Sequence, residues 1–91
     1  MKYTTRLSKK QKETFGEFWK STHSNGFFDT KATVVIQLAT AMALGCYPGM
    51  RDLSDAATKE GVTKEEIGAV RAIVMAVSAA KVNRQFKDAC G

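Results

Sequence analysis

An all-α fold, a small bundle of four to five helices, is what this chain predicts. Three observations point to it. Proline occurs once, at Pro48. Strand-like alternation is nowhere sustained, whereas apolar residues recur at helical spacing. Capping patterns also stand in front of several of those segments. The 91 residues suit one domain, read as 1–91, with a core too thin to bury much of its surface. Oligomerisation is an early expectation for such a chain.

Ser8 and Gln11 have the spacing of a capping box, in which the hydroxyl accepts from the third helical amide and Gln11 reaches back. The helix behind them carries Phe15, Phe18, Trp19 and Thr22 on one face. This stripe reads as core or subunit interface. Ser24-Asn25-Gly26 ends it with turn chemistry. Asp29 or Thr30 can cap a second helix, apolar nearly all round from Val34 to Leu44 and stopped by Gly45. Pro48 suits the first turn of a third helix, because it lacks an amide hydrogen that would have no partner there. That helix runs to about Glu60 with a weak stripe of Leu53, Ala56 and Ala57, and Gly61 follows it. Thr63 and Glu66 form a second capping box. The fourth helix carries Ile67, Val70, Ile73, Val74 and Val77. No Gly or Pro forces a break after it, but Ser78 can cap a fifth, short helix bearing Val82 and Phe86.

Net charge is +5, unevenly spread. Residues 1–25 hold Lys2, Arg6, Lys9, Lys10, Lys12 and Lys20 against Glu13 and Glu17. Such a segment can touch a polyanion. No aromatic-interleaved basic stripe accompanies it, so a solvated helix face is the plainer reading and nucleic acid is not an expected partner. The apolar-rich stretch from Ala32 to Cys46 is too short for a membrane span and is interrupted by Thr33, Gln37 and Thr40. The segment Met1 to Thr5 lacks the apolar run of a signal peptide. Two cysteines, Cys46 and Cys90, are not a disulfide framework. A soluble, cytoplasmic chain is expected. His23, the single histidine, has no second metal ligand near it in sequence and suits a helix C-terminus. Neither metal nor cofactor is called for. Met42, Met50 and Met75 read as scattered gap fillers.

The order Phe28-Asp29-Thr30-Lys31, an Ala-rich helix ending Leu44-Gly45-Cys46, a short helix, then Gly61-Val62-Thr63-Lys64-Glu65-Glu66-Ile67 resembles the carboxymuconolactone decarboxylase family. Its alkylhydroperoxidase D-like branch is the nearest, and residues 27–77 carry the resemblance. The family implies helices built around a central helical hairpin and assembled as trimers or hexamers. Its redox branch uses a C-x-x-C pair at the start of the third helix, a histidine one turn later, and a glutamate on the preceding helix. A thiolate attacks peroxide, Glu and His relay the proton, and the second cysteine resolves the oxidised first. Carried over by position, the first cysteine is Cys46. The second falls on Gly49, the histidine on Leu53 and the glutamate on Val34. Leu53 and Val34 cannot move a proton, and Gly49 cannot resolve a sulfenic acid. The decarboxylase branch needs an anion-binding pocket with a histidine. Arg51 and Arg71 can bind a carboxylate, but nothing in their spacing specifies one.

Two functions follow as expectations. One is a non-catalytic homo-oligomeric module that binds a small hydrophobic ligand or a protein, motivated by the aliphatic residues at 34 and 53. The other is a one-cysteine thiol peroxidase, with Cys46 as the catalytic nucleophile and an external thiol as resolver. Cys90 as a distant resolving thiol is a third, weaker option.

Overall fold

In a computed structural model the described residues are 6–91, and the Met1 to Thr5 segment read for a signal peptide lies outside them. Four helices follow in order: α1 (Lys9–His23), α2 (Thr30–Leu44), α3 (Tyr47–Lys59) and α4 (Lys64–Cys90). The expected all-α class holds. Among the described residues there is no fifth helix, because α4 runs without a break through Ser78.

Local chemistry sets the boundaries. The Ser8–Gln11 box closes in both directions, Gln11 N–H donating to Ser8 Oγ at 3.2 Å and Ser8 N–H to Gln11 Oε1 at 3.0 Å. Between α1 and α2, Asn25 is the hub. Its Oδ1 accepts from the Phe27 and Phe28 amides, and its Nδ2 donates to Thr33 Oγ1 at 3.0 Å. This satisfies the buried Thr33 hydroxyl, which a thin core could not otherwise hold cheaply. Asp29 caps α2 by accepting from the Ala32 amide at 2.7 Å. Gly45, with φ 70°, ends it in the left-handed region that a glycine enters without strain.

Helix α2 packs chiefly on α3 and less on α4. The α2–α3 pair is the predicted hairpin, joined by Gly45 and Cys46 alone. The core is Val34, Leu38, Ala57 and Val62, with Leu53, Met42, Ala56 and Ile67 against it. Val62 reaches the core because its amide donates to Ala57 O at 3.0 Å, folding the chain back over the end of α3.

The first helix departs from expectation. None of its residues is buried: Phe15 is half-buried, and Phe18 and Trp19 are exposed. Its apolar stripe is therefore not core within this chain. Spacing shows which side of a helix is apolar, not what covers it. Helix α4 departs too. Val70 is its one buried residue, and every residue from Met75 onward is exposed. The radius of gyration, 16.0 Å, exceeds the ~12 Å of a compact chain of this length.

The α4 cap yields a measurable consequence. Glu66 N–H donates to Thr63 Oγ1 at 3.1 Å, and Thr63 N–H to Glu66 Oε1 at 3.0 Å. The Thr63 amide, and after it the Lys31 ammonium 3.5 Å away, hold the Glu66 carboxyl below its ordinary value. Thr63→Ala is expected to cost about 1 kcal/mol in denaturant unfolding. A carboxyl depressed in the folded state stabilises above its unfolded pKa, and that contribution disappears as pH falls through the folded pKa. The acid side of the stability profile should therefore soften in Glu66→Gln, which keeps an amide oxygen for the cap but not the charge.

Candidate functional site

The junction of α2 and α3 holds Cys46, Pro48 and Gly49. Cys46 is the N-cap of α3, and its carbonyl accepts from the Met50 amide at 2.8 Å. Its own amide donates back to Ala41 O at 2.9 Å. The thiol makes no capping hydrogen bond, and Cys46 is free and exposed. Pro48 sits in the first turn of α3, as its missing amide hydrogen predicts.

Gly49 is buried under the cysteine. A Cβ placed on Gly49 would lie 2.8 Å from Cys46 Sγ and 3.5 Å from both Cys46 Cβ and Ala41 Cβ. The sulfur thus occupies the space a side chain at 49 would need. One turn further on, half-buried Leu53 packs against the cluster that contains Val34, which is 2% exposed. Gly49 thus lies against Cys46, Leu53 packs on the cluster of Val34, and of the four positions singled out in sequence only Cys46 carries reactive chemistry. Val34 is in the apolar core and Leu53 is packed against it, and neither side chain can donate or accept a proton.

The remaining candidates lie elsewhere. His23 is exposed in the last turn of α1, beside Trp19, Lys20 and Ser24 in a shallow groove. Arg51 is exposed on α3, and Cys90 is free and exposed at the end of α4. Among the described residues no group of three or more His, Cys, Asp or Glu could hold a metal ion. No helix there is long and apolar enough to cross a membrane.

The structure also assembles something the sequence reading missed. Met42 of α2, Met50 of α3, and Arg71, Val74, Met75 and Ser78 of α4 line one open groove of about 670 Å³. The three methionines read as scattered gap fillers are neighbours here, with one guanidinium among them. Their separation along the chain hid this, because only the packing of α4 across the hairpin unites them. The neighbouring groove, lined by Ser78, Ala79, Val82, Asn83 and Phe86, continues the same face along α4.

Comparison with known proteins gives one family. The sequence matches the model described as the Carboxymuconolactone decarboxylase family over residues 6–87. No curated protein and no solved structure matches the chain.

Proposed function

The chain belongs to the carboxymuconolactone decarboxylase family, and from that premise we propose that it is a non-catalytic, homo-oligomeric helical module that has left the dithiol redox cycle. The observation that carries this reading is Val34. At the position where the resemblance expects the proton-relay glutamate stands a valine 2% exposed, inside a closed apolar cluster. Buried polar groups are costly without a partner, so aliphatic replacement follows once their chemistry is no longer used. Gly49 removes the resolving thiol as well.

Binding then falls to surfaces outside that apolar core. The groove of Met42, Met50, Met75 and Arg71 has the make-up of a site for a small apolar molecule or a protein side chain: adaptable apolar walls and one cation. The exposed Phe18, Phe28, Leu44 and Phe86 support the homo-oligomer, whether trimer or hexamer.

The test is hydroperoxide consumption by the reduced chain with a dithiol reductant. Wild type and Cys46→Ser should consume it at the same, background rate. Cys46-dependent turnover would overturn the reading.

A second reading is favoured by the exposure of Cys46 at the start of a helix. Its thiolate would take the terminal oxygen of a hydroperoxide, releasing an alcohol and leaving a sulfenic acid. An external thiol would condense with that acid, expelling water, and a second would reduce the mixed disulfide. The turnover assay separates the two.

A further inference from the structure

We infer that α4 is a pairing helix: it docks antiparallel against α4 of a second copy of this chain, along Gly68, Ala72, Met75, Ala79, Val82 and Phe86. The inference rests on the homo-oligomer reading and deepens it by naming the surface of a twofold contact, which a hexamer of two trimers contains and a lone trimer does not.

The spacing of these six residues is four, three, four, three, four. That is the heptad period of a coiled-coil seam, sustained over about 27 Å of helix at 1.5 Å per residue. All six are exposed, with Met75 at 61%, Val82 at 65% and Phe86 at 69%. The core of this chain lies on another side of α4, reached by Ile67, Val70 and Val74. The charges of the C-terminal half, Lys81, Arg84, Lys87 and Asp88, fall on the side opposite the seam. The charges of the C-terminal half therefore stay clear of the contact, and Arg71 flanks its other half.

Side-chain size sets the register. In the antiparallel arrangement Gly68 faces the second copy's Phe86, Ala72 its Val82 and Met75 its Ala79. Each layer pairs a large residue with a small one, and the twofold axis repeats all three. Gly68 supplies an independent observation. A glycine inside an exposed helix costs about 1 kcal/mol relative to alanine. Beyond its chain neighbours and the backbone of its own helix turn, nothing lies within 4 Å of where its Cβ would be. No intrachain contact requires the glycine, whereas a facing phenylalanine does.

The surface area agrees. The accessible surface is 7305 Å², against ~5,200 Å² for a compact monomer of this mass. The excess, about 2,100 Å², is more than the about 800 Å² per partner that a stable interface covers. An unsupported helical end of this length is also marginal alone in water.

The test is sedimentation equilibrium of the full chain at micromolar concentrations, with circular dichroism as the check on folding. Wild type should associate. Gly68→Leu and Phe86→Glu should each weaken association more than tenfold while helix content is kept. Gly68→Leu is the sharper variant, since its better helix propensity would raise the stability of an unpaired helix. Direction is read by mixing Ala72→Cys with Val82→Cys, both in a Cys46→Ser, Cys90→Ser background. The mixed disulfide should form in preference to either self-disulfide. A monomeric wild type would overturn both this pairing and the homo-oligomer reading. An oligomer indifferent to Gly68→Leu and Phe86→Glu, or one giving mainly self-disulfides, would overturn the pairing alone.

Discussion

Val34→Glu is expected to destabilise the chain by on the order of 4 kcal/mol or more at neutral pH, enough to unfold a domain of this size. The substitution puts back the residue type that the family resemblance places there, into a site 2% exposed among Leu38, Ala57 and Val62. No polar partner stands in that cluster to receive a carboxylate. Val34→Ala separates the charge from the shape. It removes two methyl-sized groups and should cost about 2 kcal/mol. The two variants also differ in pH dependence. Burial raises the pKa of the introduced carboxyl in the folded state, so its penalty appears above the unfolded glutamate pKa and grows until the folded pKa is passed. Val34→Glu should therefore recover stability near pH 4, and Val34→Ala should not. A fully stable Val34→Glu would mean that the site is open to water or to a partner group.

Gly49→Cys, made with Cys90→Ser, is expected to form a disulfide with Cys46 under mild oxidation, seen as the loss of two hydrogens in the intact mass. The 3.5 Å between Cys46 Cβ and a Cβ at 49 falls within the ~3.5–4.5 Å that disulfides span. Such a bond would show that the backbone from Cys46 to Gly49 accepts a C-x-x-C disulfide, although position 49 carries no sulfur. Even so, the restored dithiol should turn over hydroperoxide poorly, because Val34 and Leu53 still offer no group to move a proton. Quantitative reduction under the same oxidant would show that the turn at Cys46 is set differently.

How much of this was legible beforehand depends on how local the cause is. The caps at Ser8, Asp29 and Thr63 were readable because a side chain meets a backbone amide three residues away. Gly45 and Pro48 were readable for the same reason. The continuity of α4 through Ser78 was not, since a serine followed by two alanines suits a helix interior as well as a cap. Phe15, Phe18 and Trp19 formed the expected stripe, but whether a stripe is core depends on what packs against it, and α1 packs weakly. The Arg71–methionine groove was hidden for a related reason. Its walls come from three helices, and nothing in the sequence marks that they meet. The aliphatic identities at 34 and 53 were plain from the start. The structure adds that Val34 is in the packed core and that Leu53 packs against it.

The most direct measurement is a single-turnover one. Reduced Cys90→Ser protein is mixed with one equivalent of an alkyl hydroperoxide and a sulfenic-acid trap, and the intact mass is followed with time. An abandoned redox centre predicts that Cys46 stays a thiol, trapped no faster than in the unfolded chain. Rapid, stoichiometric trapping at Cys46 that vanishes on unfolding would contradict it and make the thiol a working nucleophile.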